Sequence, residues 1–306
     1  MILLISIIGT GRVGSTIGFL CVSHALDDVL FVNADKEIAI GESLDIASAI
    51  PYSSKFSISA TDDISQIKDS KIVVIAASMG VYTTDRAEHI DEQVKMITSI
   101  ADDVKKYCPS AIVLVVSNPL DVLTYYFQKQ SQFSRFRVIG IASSLDSSRF
   151  RYYVSQKLSV PHSSISDVFV LGEHGDSMVP IFSKVTINGD SLLSKISEND
   201  VNEITSSVRD YWKALRNHKS RSMFGIAKNV FDVINCIYNS QEITISAAIL
   251  LENEYGEPDV VMGIPVTINN NGISEIITIP INEKESELLK ISASKIRHQI
   301  LSVSTQ

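Results

Sequence analysis

Residues 2–14 read ILLISIIGTGRVG, an apolar run followed directly by a glycine motif. The run 2–8 predicts a buried β-strand, and residues 9–14 have the spacing GxGxxG. A helix is predicted from Val13 to about His24, and a second strand over Val29–Val32. This order of strand, glycine loop, helix and strand is the context in which GxGxxG binds a dinucleotide. A coincidental glycine-rich turn is the weaker interpretation.

The glycines of the motif have separate physical roles. Gly9 permits the tight turn, Gly11 lets the backbone approach a pyrophosphate, and Gly14 allows the helix to pack closely on the strand. The first turn of the helix then offers its N–H groups to the phosphates. Where such sites carry a ribose-binding acid, at the end of the second strand, the chain has Asn33, with Asp35 two residues later. We therefore predict a dinucleotide site that is unusual at the ribose.

Strands and helices alternate through the rest of the first half. Further buried strands are predicted over 71–76 and 111–116, and helices over 36–50 and 87–107. Alternation of this kind implies a parallel sheet with right-handed crossovers. We expect an α/β fold with a Rossmann-type, doubly wound parallel sheet, forming a dinucleotide-binding domain over residues 1–141.

Past about residue 142 the pattern changes to helices mixed with antiparallel strands. Asn270-Asn271-Gly272 is a hairpin signal, and Asn282 with Glu285 forms a capping box. We expect an α+β substrate and catalytic domain over residues 142–306. Its predicted helices are 146–158, 201–215, 226–237 and 283–301, and its predicted strands are 168–171, 243–250, 260–269 and 273–280.

Composition excludes several classes of protein. A length of 306 residues is enough for two lobes, and a formal net charge of −8 argues against nucleic-acid binding. Cys21, Cys108 and Cys236 are widely spaced, which is typical of reduced, buried thiols in a cytoplasmic protein. The sequence shows neither the pattern of a signal peptide nor an apolar run of the ~18 residues that a membrane span needs.

The second half carries a histidine in a position suited to proton transfer. The apolar run Val168–Leu171 ends in Gly172, and Glu173-His174-Gly175 follows. Little side-chain bulk can cover His174 there, and imidazole is the side chain whose ordinary pKa lies nearest neutrality. The alternative is a loop histidine that only hydrogen-bonds its neighbours.

Four other residues could complete a site around this histidine. Arg86 ends a small polar loop at the carboxyl edge of the predicted sheet, where a lid would bring a cation over a substrate. Asn118 ends a strand and can offer its amide to a substrate or nicotinamide oxygen. Asp146 and Arg149 share one helix face, so that Arg149 can bind a carboxylate while Asp146 orients the histidine. Taken singly, each of these residues is also consistent with a purely structural place in a solvated loop, a turn or a helix cap.

Taken together, the motifs resemble those of the L-lactate/malate dehydrogenase family, and most of all its lactate-dehydrogenase-like malate dehydrogenases. The resemblance spans essentially the whole chain in the family's order, and it implies reversible hydride transfer between a nicotinamide cofactor and a small 2-hydroxy acid. It also implies a homo-oligomer, a dimer or a tetramer. The motifs are GTGRVG at 9–14, GESLDIASA at 41–49, VSNPLDVLTY at 116–125, SSLDSSRF at 143–150 and VLGEHGDSMVP at 170–180.

The resemblance also implies a role for each matching residue. His174 would be the general acid/base, Asp146 its partner, and Arg149 the anchor of the substrate carboxylate. Arg86 would be the lid arginine that polarises the substrate carbonyl, and Asn118 would contact substrate and cofactor. No metal is implied. The implied cofactor contacts are Gly9, Gly11, Arg12, Val13, Gly14, Asn33, Gln93, Ser117 and Asn118.

Three departures from the family pattern bear on specificity. Asn33 replaces the ribose-binding acid, so we expect NAD as cofactor with NADP tolerated. Val81 lies near the place where malate enzymes carry an arginine and lactate enzymes a glutamine. Arg221 is an unexpected cation that could bind a second carboxylate; equally, it could lie at the surface or a subunit interface.

The expected substrate is (S)-malate, oxidised to oxaloacetate. L-lactate or a bulkier monocarboxylic 2-hydroxy acid is the alternative. A catalytically silent dinucleotide-binding protein is the alternative from another class. We expect neither a nucleic-acid partner nor a membrane.

Overall fold

The first half folds as strands alternating with helices. The computed structural model describes residues 4–79, 89–220 and 222–303. The elements of this half are β1 (Ile5–Ile8), α1 (Arg12–Ser23), β2 (Val29–Val32), α2 (Lys36–Ala47), β3 (Ile58–Thr61), β4 (Ile72–Ile75), α3 (Ile90–Tyr107), β5 (Ile112–Val115), α4 (Leu120–Ser131) and β6 (Val138–Gly140).

These strands form a parallel sheet in the order β3-β2-β1-β4-β5-β6. β1 lies at its centre, with Ile7 paired to Phe31 on one side and to Val74 on the other. Every residue of β1, β2, β4 and β5 is buried, as expected for a sheet that is covered by helices on both faces. The order is that of a doubly wound dinucleotide-binding fold, so the predicted Rossmann-type sheet is confirmed.

The second half mixes helices with short antiparallel strands. Its elements are α5 (Ser143–Leu158), β7 (Ile165–Ser166), β8 (Val170–Leu171), β9 (Val179–Pro180), β10 (Thr186–Ile187), β11 (Asp190–Ser191), α6 (Glu198–Arg209), α7 (Tyr211–Arg216), α8 (Phe224–Tyr238), β12 (Ile243–Leu250), β13 (Val261–Asn269), β14 (Gly272–Ile276) and α9 (Glu283–Leu301).

The long antiparallel strands extend the parallel sheet of the first half. Ala248 of β12 pairs with Gly140 of β6, and β13 and β14 follow, so that the two halves share one nine-stranded sheet. The other strands form two small sheets, β11-β10-β7 and β8-β9. Gly172, just after β8, exchanges both backbone hydrogen bonds with Gly263 of β13 at 2.9 Å. The loop after β8 is therefore tied directly to the main sheet.

Several predicted elements have different bounds in the structure. The helix predicted over 201–215 divides at Asp210, whose ψ of 7° leaves the helical region, and becomes α6 and α7. The strand predicted over 168–171 is shorter in the structure, where only Val170–Leu171 form β8. α9 has the predicted bounds, and the capping box of Asn282 and Glu285 is present.

Two further predictions concern the chain as a whole. Cys21, Cys108 and Cys236 are free and buried, as predicted. Among the described residues, no helix is both long enough and apolar enough to cross a membrane.

Close packing of α1 on β1 depends on glycine. Gly9 has a φ of +94°, which an L side chain rarely adopts. A Cβ at Gly14 would lie 1.9 Å from the carbonyl oxygen of Gly9, whereas a Cβ at Gly11 would meet no atom within 4 Å. Gly14 is therefore needed for the fold, and Gly11 is not.

This contrast gives a prediction about stability. We expect Gly14→Ala to lower the melting temperature by roughly 2–5 °C, because overpacking against backbone costs about 1–3 kcal/mol and a chain of this length has a large entropy of unfolding. Gly11→Ala is the matched control and should melt within roughly 1 °C of the unmutated protein. Thermal unfolding followed by circular dichroism makes the comparison, and equal melting temperatures for the two variants would contradict it.

Candidate active site

His174 lies in the loop after β8 and is paired with a buried carboxylate. Its Nδ1 is 2.6 Å from Oδ2 of Asp146, in the first turn of α5. The Asp146 side chain is only 1% exposed and that of His174 is 10% exposed. Because a carboxylate only accepts hydrogen bonds, it selects the tautomer with the proton on Nδ1. The predicted pair is therefore formed.

A second carboxylate holds the backbone of the same histidine. The amide of His174 donates to Oδ2 of Asp121 at 2.8 Å, and Asp121 is buried in the first turn of α4. Sequence reasoning did not single out Asp121, although it belongs to the quoted VSNPLDVLTY motif. The loop is thus fixed from α4 as well as α5.

Arg149 completes the cluster on the helix face of Asp146. Its Nη1 donates to Oδ1 of Asp146 at 3.0 Å, and its guanidinium lies 4.4 Å from the ring centroid of Tyr211 on α7. Its buried Nε has no hydrogen-bond partner among the described residues. A planar cation with a donor still to be satisfied is suited to binding a carboxylate.

A small cavity lies beside these groups, with a volume of about 10 Å³, which is room for roughly one water molecule. It is lined by Arg149, His174, Gly175, Asp176, Met178, Arg209 and Trp212. The last two come from the corner between α6 and α7, which sequence reasoning had placed inside one continuous helix.

Glu173 forms a polar network beneath the histidine loop. Its buried carboxylate accepts hydrogen bonds from the amide of Ser177 at 3.1 Å, from Nζ of Lys295 at 3.0 Å and from Nε2 of Gln299 at 3.0 Å. Burial raises the pKa of the Glu173 carboxyl, but the hydrogen bonds from Ser177 and Lys295 outweigh burial and hold that pKa below its usual value. Helix α9 therefore stabilises the histidine loop through hydrogen bonds to the ionised carboxylate of Glu173.

The glycine motif lies at the carboxyl edge of the parallel sheet. Gly11 precedes α1, and among the described residues no side chain caps the first turn of this helix. Its amide groups, together with the open space over Gly11, fit the phosphates of a dinucleotide. Arg12 instead hydrogen-bonds Oγ of Ser220 from the second half, and the Val13 side chain is half-buried.

Asn33 occupies the end of β2, directly after Val32. Its Nδ2 donates to Oγ1 of Thr10 at 2.6 Å. The carboxylate of Asp35 caps α2 by accepting from the amides of Glu37 and Ile38. Asp35 is thus engaged at the helix end, and Asn33 is the polar side chain at the carboxyl end of β2.

The remaining predicted contacts are placed as follows. Oγ of Ser117 donates to the carbonyl of Ala77 at 2.6 Å, and Asn118 follows β5 next to it. Gln93 is buried in α3, and its Oε1 has no hydrogen-bond partner among the described residues. Arg86 and Arg221 lie outside the described residues. Within the described ranges, no group of three or more His, Cys, Asp or Glu side chains could hold a metal ion.

Two models of known protein families match the chain. The model for the NAD binding domain of lactate/malate dehydrogenase matches residues 3–140, and the model for the alpha/beta C-terminal domain matches residues 143–305. The chain belongs to the lactate/malate dehydrogenase family. The expected resemblance is confirmed, and the protein is an NAD-dependent oxidoreductase of this family.

Individual members of the family are similar over nearly their full length. The chain is 30% identical to L-lactate dehydrogenase 1 of Listeria monocytogenes, with 96% of this chain and 95% of that protein covered. It is 33% identical to malate dehydrogenase of Staphylococcus epidermidis, with 95% of each covered. The crystal structure of Cryptosporidium parvum lactate dehydrogenase complexed with lactic acid and β-nicotinamide adenine dinucleotide has a TM-score of 0.94 at 30% identity, with 98% of each chain covered. Relatives of both names match, so these comparisons leave malate and lactate equally open.

The Glu173 network gives a prediction with a pH dependence. We expect Glu173→Gln to lower the free energy of unfolding by about 1–3 kcal/mol at neutral pH, because Lys295 loses its buried acceptor charge. The folded pKa of Glu173 lies below its unfolded value of about 4.3, so its contribution is complete above that pH and is lost as the pH falls through the folded pKa. The gap between the two proteins should narrow below about pH 4.3.

Urea unfolding between about pH 7 and pH 3 measures this gap. Glu203→Gln is the matched control, since Glu203 is an exposed carboxylate that pairs with Lys157 and is screened by solvent. The control should change stability little at any pH. A gap for Glu173→Gln that stayed constant into acid would contradict the assignment of an ionised Glu173.

Proposed function

We propose that this protein is an NAD-dependent malate dehydrogenase that interconverts (S)-malate and oxaloacetate. The observation that carries the proposal is the cluster of His174, Asp146 and Arg149: a base with its orienting carboxylate, beside a guanidinium that can bind a substrate carboxylate. Its position at the carboxyl edge of a dinucleotide-binding sheet supports oxidation or reduction as the chemistry. A cytoplasmic homo-oligomer and the division into domains at residue 141 belong to the same proposal.

The proposed oxidation needs a proton to leave the substrate hydroxyl. Arg149 binds the carboxylate next to the reacting carbon, which places the hydroxyl at Nε2 of His174. The imidazole takes the proton at Nε2, and Asp146 stabilises the imidazolium that forms. The first turn of α1 and the glycine motif would hold NAD, which would supply the acceptor for the hydride that leaves the same carbon. In the reverse direction His174 returns the proton, and Arg86 is proposed to polarise the ketone.

Substrate choice depends on the second carboxylate. The motifs favour malate, and a malate dehydrogenase is among the relatives at 33% identity. L-lactate is the second candidate, because Val81 offers no charge where a second carboxylate would be expected in the lid. Reduction of oxaloacetate, pyruvate and 2-oxobutyrate with NADH tests the proposal directly. Preference for pyruvate would reject malate, and no turnover of any of the three would indicate a catalytically silent protein.

His174 is expected to carry the proton transfer. His174→Asn should reduce turnover by at least about 10²-fold, because an amide cannot act as a general base at neutral pH. NADH binding, measured by fluorescence titration, should remain nearly intact. The surface variant His162→Asn is the control and should keep full turnover. A His174→Asn enzyme with more than roughly a tenth of the original rate would reject the assignment.

Asn33 is expected to weaken discrimination against NADPH. The kcat/KM ratio of NADH to NADPH should be below about 10³, because Asn33 carries no charge to repel a 2′-phosphate. Asn33→Asp should raise this ratio at least ~10-fold, since like charges brought together are strongly unfavourable.

Asp35→Asn is the matched control for coenzyme choice. Its carboxylate caps α2, so the variant should leave the coenzyme ratio unchanged. Steady-state kinetics with both coenzymes measures all three proteins. A ratio above about 10³ for the unmutated protein would contradict weak discrimination.

A further inference from the structure

Arg209 is a second arginine on the cavity beside His174. It is the last residue of α6, and it lines that cavity together with Arg149. Its Nη2 and Nε both donate to the carbonyl oxygen of Met178, at 3.0 and 3.4 Å. Among the described residues, these are the only hydrogen bonds of its guanidinium. Arg209 is thus held at the cavity by a neutral acceptor, with Nη1 still able to meet an anion.

The neighbouring carboxylates do not neutralise Arg209. Asp146 is shared between His174 and Arg149. Asp176 also borders the cavity, but it is exposed, and it contributes an electrostatic attraction to Lys213. Two cations therefore line the cavity. Arg149 is paired with the carboxylate of Asp146, whereas Arg209 has no charged partner in the described part of the chain.

We propose that Arg209 binds the second carboxylate of a dicarboxylic substrate, and this inference rests on the proposed malate dehydrogenase function. With one carboxylate on Arg149 and the reacting oxygen at His174, the remaining carboxylate needs a cation on the same cavity. Burying it without one would be strongly unfavourable. Arg209 supplies a planar guanidinium suited to a carboxylate, and it comes from a different helix than Arg149.

Substrate binding requires the α6–α7 corner to move. A cavity of about 10 Å³ holds no more than a water molecule, so a four-carbon acid enters only when a lining side chain such as Trp212 is displaced. Asp210 already interrupts the helix between Arg209 and Tyr211. Arg209 therefore lies at the edge of the moving segment, where it can exchange the carbonyl of Met178 for a substrate carboxylate.

The experiment compares two substrates that differ only in the second carboxylate. 2-Oxobutyrate carries a methyl group where oxaloacetate carries that carboxylate. Arg209→Met removes the charge and keeps an apolar stem, and Arg209→Lys keeps a charge without the planar fork. We expect Arg209→Met to lower the ratio of kcat/KM for oxaloacetate over 2-oxobutyrate at least ~30-fold, and Arg209→Lys to lower it less. Thermal melting checks that both variants fold.

The controls separate this inference from the proposed function. Equal losses on both substrates would show that Arg209 only supports Met178, and would overturn its role while leaving the dehydrogenase intact. A fall in the ratio that appears in Arg221→Ala but not in Arg209→Met would assign the carboxylate to Arg221 instead. If the unmutated enzyme prefers 2-oxobutyrate to oxaloacetate, the malate assignment itself fails, and the role of Arg209 fails with it.

Discussion

The buried carboxylate of Asp146 is the group on which the rest of the site depends. A carboxylate that is 1% exposed is costly unless it is paired, and here each oxygen has a partner: Oδ2 meets His174 and Oδ1 meets Arg149. One ionised group therefore sets the tautomer of the base and the position of the anion-binding guanidinium. Asp146 lies on α5, which begins directly after β6, the last parallel strand of the first half. The carboxylate is therefore held close to the sheet that also carries the glycine motif.

The loop that carries His174 is held from several directions because its position must match that carboxylate. Asp121 fixes the histidine amide from α4, and Gly263 fixes Gly172 from the main sheet. On the far side, Glu173 reaches Lys295 and Gln299 on α9. The loop is thus tied to helices α4, α5 and α9 and to a strand of the main sheet. These contacts fix the position of His174, and proton transfer depends on that position, since misplacement of a reacting group by about 1 Å costs roughly 10²-fold in rate.

The substrate side of the site is built differently from the histidine side. There Arg149, Trp212 and Arg209 line a cavity of about 10 Å³, and Tyr211 stacks on Arg149 behind it. These groups lie at a helix corner next to Asp210 rather than on the sheet, and Arg12 of the glycine motif reaches Ser220 beyond the same corner. The histidine therefore faces a wall built at the corner between α6 and α7, on side chains that take no part in the hydrogen bonds of Asp146 to His174 and Arg149.

The sequence by itself determined the sheet class, the glycine motif, the bounds and cap of α9, and the pairing of Asp146 with His174. The first three depend on short-range patterns of apolar, glycine and capping residues, and the fourth was reached through the family's motifs rather than through geometry. Only the tertiary structure decided the continuity of the nine-stranded sheet through Gly140 and Ala248, the network from Glu173 to Lys295 122 residues away, and the turn at Asp210 that puts Arg209 on the cavity. The periodicity of residues 201–215 is that of one amphipathic helix, because a hydrophobic pattern records which face is buried and not whether the axis bends. Contacts between distant segments depend on packing, which no local pattern encodes.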